Sequence, residues 1–246
     1  MKLPTKIDPC PIISAGIEFR FNPVLPPEAI FGVIYEALAQ EFPYVTNLPI
    51  VNVPQSVRYS DPNLKYQPER VLNNNNSPFR LYIGPKVFSL SCIKPYSGWK
   101  LYFEMASKII ESLIVRKKII TQISRLGLRY VNFFEEENII DKLNLKILVN
   151  DESKNIGKIE LKYIETDEQF DSQVFINNCA DTIIMGKKNL GSIIDIDTYC
   201  VDLPESESNG PTILTYLNSA HLKEKTIFFG LLKNEYLKQF NPEYDN

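Results

Sequence analysis

Arg125 and Arg129 stand four residues apart in RLGLRYVNFF, a mostly apolar run over residues 125–134. Alternate side chains of a strand leave opposite faces. Ile123, Arg125, Gly127, Arg129, Val131 and Phe133 therefore share one face, and Leu126, Leu128, Tyr130, Asn132 and Phe134 share the other. If the second face is the core, both arginines project from the first. Guanidinium groups fork onto phosphate or carboxylate, so an anion site is the functional reading. An exposed or ion-paired arginine is the structural reading and the commoner one. The acid expected to hold Arg129 is Glu18, in the alternating stretch IISAGIEFRFN at residues 12–22, where Glu18 and Arg20 share a face. The candidate ligand-binding set is Glu18, Arg20, Arg125 and Arg129.

A second pair is carboxylic. Asp195 and Asp197 in IDIDTY lie two apart and leave one strand face together. Two acids so placed could share a divalent cation, but oxygen-ligand sites need more than two ligands. A polar outer face above Ile194 and Ile196 is the plainer reading. His221, the single histidine, lies near the apolar stripe of a C-terminal helix, where a packed, hydrogen-bonded ring is commoner than a catalyst. There is no G-x-x-x-x-G-K-[ST], G-x-G-x-x-G or G-x-S-x-G pattern, so no phosphate loop or nucleophile elbow is encoded. No cofactor is called for, and a binding role is expected rather than catalysis.

The whole chain bounds these readings. Its 246 residues allow one large domain or two small ones, on a prior of roughly 100–200 residues per domain. A composition 44% hydrophobic and 23% charged is that of a globular protein. The net charge of −3 counts against nucleic acid as a partner. Aromatics interleaved with lysines, Tyr96, Trp99, Tyr102 and Phe103 with Lys94 and Lys100, can stack bases, and Arg116, Lys117 and Lys118 add charge. The same residues suit the start of a helix packed on a sheet, which is the reading preferred here. Cys10, Cys92, Cys179 and Cys200 form no C-x-x-C pair, and with one histidine a zinc site is not expected. Free thiols in a reducing cytoplasm fit this usage. MKLPTKIDPCPIIS lacks the continuous apolar core of a signal peptide, and no run of 18 apolar residues would span a membrane.

The elements that must position these residues can be read from periodicity. Residues 12–22 alternate as a half-buried strand. Pro26 and Pro27 open a helix whose Ile30, Ile34, Ala37, Leu38 and Phe42 recur at helical spacing, and Pro43 stops it. Residues 55–60 read as a strand, and 79–93 as a hairpin around Gly84 and Pro85. Ser97 is placed to cap a helix over 98–117, followed by a long strand over 119–134. This order resembles an elaborated split β-α-β (ferredoxin-like) arrangement, with helices on one face of a mostly antiparallel sheet. An acidic turn or short helix at 135–142 marks a division into an α+β part, 1–136, and a strand-rich part, 137–246, the alternative being one continuous unit. Strands are expected at 145–150, 158–165, 173–178, 181–186 and 192–202, with turns at 167–169 and 189–191. A helical C-terminus over 212–240 carries a break at Ser219.

The stretches LPTKIDPCPIISAGIEFRF, SRLGLRYVNFF, IIDIDTY and HLKEKTIFFGLLKNEYL together resemble an uncharacterised, sporadically distributed family of bacterial proteins of about this length. Phe133 departs from the polar residue expected after RYVN. The resemblance carries no activity. Its patchy distribution implies an accessory role in defence against phage or in conflict between strains. The expectation is a cytoplasmic α+β protein that binds a protein partner or a second copy of itself. A small phosphate ligand, bound or hydrolysed, is the alternative; nucleic acid is disfavoured and no membrane is involved.

Overall fold

The computed structural model describes residues 2–135, 138–149, 152–153, 157–184 and 186–244. In chain order the elements are β1 (Ile12–Pro23), α1 (Pro27–Leu38), β2 (Tyr44–Asn47), α2 (Gln55–Ser60), β3 (Arg70–Asn73), β4 (Phe79–Gly84), β5 (Val87–Ile93) and α3 (Trp99–Ile110). There follow β6 (Ile120–Phe134), β7 (Leu148–Val149), β8 (Glu152–Ser153), β9 (Glu160–Thr166), β10 (Asp171–Ile184), β11 (Lys187–Val201), α4 (Gly210–Leu231) and α5 (Asn234–Leu237). Nine strands form an antiparallel sheet in the order β2-β3-β4-β5-β1-β6-β11-β10-β9, and β7 pairs with β8 alone. The fold is α+β, as the sequence pattern implies.

Contacts divide the chain into two compact units, each discontinuous in sequence, unlike the contiguous parts 1–136 and 137–246. Unit I comprises Ser14–Leu128 and Tyr199–Asn218; unit II comprises Met1–Ile13, Arg129–Thr198 and Ser219–Asn246. The long elements β6, β11 and α4 each contribute one part to either unit, which a linear division cannot show.

In unit I the alternation of β1 sets the layers. Phe19 pairs with Phe88, which pairs with Ile83; Ile17 pairs with Leu90, which pairs with Leu81. All six are buried and form the core face. Against it lie Ile30, Ile34 and Leu38 of α1 and Tyr102, Ala106 and Ile109 of α3, all buried. The Tyr102 hydroxyl donates to the Leu90 carbonyl at 2.7 Å, so this deep phenol keeps its hydrogen bond. The same registers put Gly16 beside Ser91 and Glu18 beside Ser89 on the opposite face.

In unit II the core gathers Phe134, Val174, Ile176, Ile194 and Ile196 from the strands with Phe228, Leu231, Leu232, Tyr236 and Leu237 from α4 and its C-terminal side. Phe134 lies 6.4 Å from the Phe228 ring, 5.9 Å from Tyr236 and 5.7 Å from Phe240. The terminal segments meet here too: Thr5 and Asp8 donate backbone N–H groups to Glu243 and Phe240.

Several local expectations are corrected. Residues 55–60 are helical, because Pro54 starts a turn in which Val57 and Arg58 donate to its carbonyl at 3.0 and 3.1 Å. Ser97 is not the cap of α3. Gly98 holds that position without a side-chain bond, and Ser97 Oγ lies 3.5 Å from Cys92 Sγ. The helix goes on past Ile110 as a π-turn, Glu111–Arg116. Residues 173–186 are not two strands, since β10 runs through Cys179 with φ 54°. Residues 189–191 are no turn but part of β11. A Cβ on Gly191 would stand 2.2 Å from the Phe134 carbonyl oxygen and 2.6 Å from the Phe133 ring, so this glycine serves a close approach. Phe133, the departure noted above, fills that space. The strand expected at 145–150 shrinks to β7, with residue 150 outside the described set. Of the acidic turn, residues 136 and 137 lie outside the described residues, and Ile140–Lys142 form a 3-10 turn. Ser219 breaks nothing: α4 is continuous, and the chain turns at Lys233 before α5.

Replacing Phe134 by Ala removes a ring enclosed by three others and is expected to cost about 3–5 kcal/mol. Leu222→Ala, on the exposed side of α4, should stay within about 0.5 kcal/mol. Denaturant titration of both variants checks the difference.

Candidate functional site

With Ile17 and Phe19 turned into the core of unit I, Glu18 and Arg20 must leave the other face of β1. There Glu18 Oε1 accepts two charged hydrogen bonds, from Arg20 Nε at 2.7 Å and from Arg125 Nη1 at 2.9 Å. Three of the four residues proposed from sequence thus meet. Arg125 is the enclosed partner, with its side chain 12% exposed. Its guanidinium lies over Gly127, where a Cβ would stand 2.3 Å from Nη1. It also stacks 4.4 Å above the Tyr199 ring. Gly127 is what lets the side chain fold flat along its own strand.

The segment after α2 extends this cluster. Arg20 lies 5.1 Å and Lys65 Nζ 4.9 Å from the centre of the Tyr66 ring. Burial pushes the Tyr66 phenol up, but hydrogen bonds to the side chains of Lys65 and Ser124, with the charges of Lys65 and Lys86, bring it below its ordinary value. Arg20 and Lys65 thus lie against the Tyr66 ring, the charge of Lys86 acts on its phenol, and Glu18 joins Arg20 to Arg125. The neighbouring Cys200 thiol is pushed up to about 11 by burial, so it is no nucleophile at neutral pH. Lys65, Tyr66 and Lys86 escaped the sequence reading because they lie in a loop and a turn, where periodicity carries no facing information.

Arg129 belongs elsewhere. Its guanidinium grips Asp195 through both nitrogens, Nε to Oδ1 at 2.8 Å and Nη2 to Oδ2. The expected Glu18–Arg129 pair is thus corrected: Glu18 holds Arg125, and Asp195 holds Arg129. The order β1-β6-β11 explains this, since β6 has an acid-bearing strand on each side. With Asp195 engaged, its joint cation site with Asp197 loses a ligand. Among the described residues no three His, Cys, Asp or Glu side chains gather as a metal would need. The basic stretch after α3 is also engaged: Arg116 pairs with Glu111 at 3.1 Å and Lys117 with Glu36. Trp99 packs 5.3 Å from Phe103 and donates to Asn218 Oδ1 at 3.2 Å.

Unit II holds a different polar group. The Tyr130 hydroxyl lies 3.3 Å from His221 Nδ1. Burial, helped by the charge of Lys225, pushes His221 down to about 3, so its ring is neutral. One turn along α4, Glu224 is 5% exposed, and burial raises it to about 8 against the pull of Lys225. The sequence carried this signal in the helical spacing Leu217, His221, Glu224, Phe228, an acid within an apolar stripe.

The pH dependence of unit II follows. Glu224, raised from 4.5, favours folding fully below pH 4.5 and loses that contribution as pH rises to about 8. His221, depressed from 6.5, contributes fully above pH 6.5 and loses it as pH falls to about 3. The two slopes cancel between pH 4.5 and 6.5, so stability should be flat there and fall on both sides. Glu224→Gln should abolish the alkaline fall and keep the acid one, as read by thermal unfolding from pH 3 to 9.

No protein-family model matches the chain, and no curated protein matches it. Among solved structures it is similar to a chain in the crystal structure of A. aeolicus tRNASec in complex with M. kandleri SerRS, at 11% identity and a TM-score of 0.28. That match covers 90% of this chain and 31% of the other, so this protein spans about a third of its length. A likeness at that score carries no argument about fold or function.

Proposed function

We propose that the protein is a binding module that takes a phosphate-bearing ligand on the open sheet face of unit I. The observation that supports it is the convergence of Arg20, Lys65 and Lys86 on Tyr66, beside the Glu18 carboxylate that accepts from both Arg20 and Arg125. Arg125, held by Glu18, Gly127 and Tyr199, is the fixed part. Arg20 and Lys65, lying along Tyr66, are the part that an anion would engage. Guanidinium groups fork onto phosphate oxygens, and the Tyr66 hydroxyl adds a donor. The role is binding rather than hydrolysis, because the cluster offers cations and aromatic rings but no paired nucleophile and base.

An accessory role in defence or in conflict between strains, implied by the family resemblance, belongs to the same proposal as sensing of a phosphorylated ligand. Docking of a protein partner, the first expectation from sequence, rests on a different observation: the uncharged edge strand β2, which takes no part in the basic cluster.

Inorganic phosphate, polyphosphate and a panel of nucleotides should raise the midpoint of thermal unfolding. A ligand at 100 times its Kd adds about 2.7 kcal/mol. Arg20→Ala and Lys65→Ala should each weaken binding, while Arg129→Ala, in unit II, should leave it unchanged. Gly127→Ala should weaken it too, by displacing the Arg125 guanidinium rather than deleting it. The proposal fails if no anion raises the midpoint, or if the rise persists in Arg20→Ala with Lys65→Ala.

A further inference from the structure

The sheet has two ends, and they differ in chemistry. One end is β9, whose sequence ELKYIET places Glu160, Lys162 and Glu165 along the edge. Charges so placed discourage another strand from adding there. The other end is β2, YVTN, which carries no charged side chain. All four of its residues are exposed, Tyr44 at 53% and Val45 at 42%. It pairs with β3 on one side, from Tyr44 opposite Asn73 to Asn47 opposite Arg70. On the other side no hydrogen bond of its backbone is made among the described residues. Val57 and Tyr59 of α2 are exposed as well. They are tied to this end of unit I because Arg58, between them, pairs with Glu69, whose carbonyl accepts the Leu48 N–H at 2.8 Å.

An open ladder of N–H and C=O groups selects an extended strand as its occupant, because only another backbone matches that spacing. Self-complementarity selects which strand. In antiparallel register about a two-fold axis between Val45 and Thr46, Val45 meets the partner's Thr46 and Tyr44 meets the partner's Asn47. Val45 against Thr46 is a β-branched pair at the axis, and no like charges are set opposite each other. A β2-to-β9 contact between copies would be heterologous and would propagate into a filament, which the charges of β9 oppose. A β2-to-β2 contact closes after two copies. We infer that β2 is the pairing edge for a second copy of this chain, joining two sheets into one across a two-fold axis.

The test is the mass of the full chain in solution, by sedimentation velocity across a range of concentrations. The expected result is a dimer that dissociates on dilution and is lost in Val45→Lys, which sets two like charges near the axis. Ile164→Lys, an equally exposed change on β9, should leave the dimer intact. Circular dichroism of both variants should match the wild type, since both side chains are exposed. A monomer at every concentration would overturn the inference and leave the edge to an extended segment of a different protein. A dimer indifferent to Val45→Lys would overturn it too. Neither outcome bears on phosphate binding, which is read by a different assay at different residues.

Discussion

The outer face of β6 can be satisfied only sideways. Leu126, Leu128 and Tyr130 are buried on one side of the strand, so the intervening arginines must find partners along the sheet rather than beneath it. β6 lies between β1 and β11 in the strand order, and both neighbours carry acids. Glu18 meets Arg125 and Asp195 meets Arg129. The two pairs carry different weight. Arg125 is largely enclosed, so its pair with Glu18 is little screened by solvent. In the other pair Arg129 is 57% exposed, so solvent screens most of its attraction.

Glu18 is shared, and that sharing gives the cluster its character. Glu18 Oε1 accepts from both Arg20 and Arg125, and Lys65 and Lys86 act on the neighbouring Tyr66 phenol. Arg20 and Lys65 both lie against Tyr66, which brings two like charges close together at a cost, while Arg20 keeps Glu18 as its acid. Short-range attraction to the ring offsets part of that cost.

The sequence was legible where periodicity had a buried face to report. β1, α1, the β4–β5 hairpin and β6 lie where the patterns of Ile17–Phe21, Ile30–Ile34–Leu38 and Leu126–Leu128–Tyr130 placed them. It was illegible where a residue serves two readings. QSVRYS at residues 55–60 alternates like a strand, yet Pro54 sets it as a helical turn. Asn189 and Gly191 look like a turn, yet the glycine admits Phe133. For the site, alternation showed that Glu18 and Arg20 share a face, and likewise Arg125 and Arg129. It could not say which acid reaches which arginine, because that depends on strand order rather than on any one strand.

The two units respond to different solution variables, and for one reason. The interior polar groups of unit II are mostly matched: Ser172 and Thr198 share a hydrogen bond at 3.0 Å, and Asn132 donates to the Ile194 carbonyl at 3.3 Å. Glu224 and His221 differ because each is tolerated there only when neutral, the acid with its proton and the imidazole without. Unit II is thus sensitive to pH while ionic strength barely reaches its interior. The basic cluster of unit I is the reverse. Ions in solution screen the charges of its arginines and lysines. Salt thus acts on the charged face of unit I and protons act on the core of unit II.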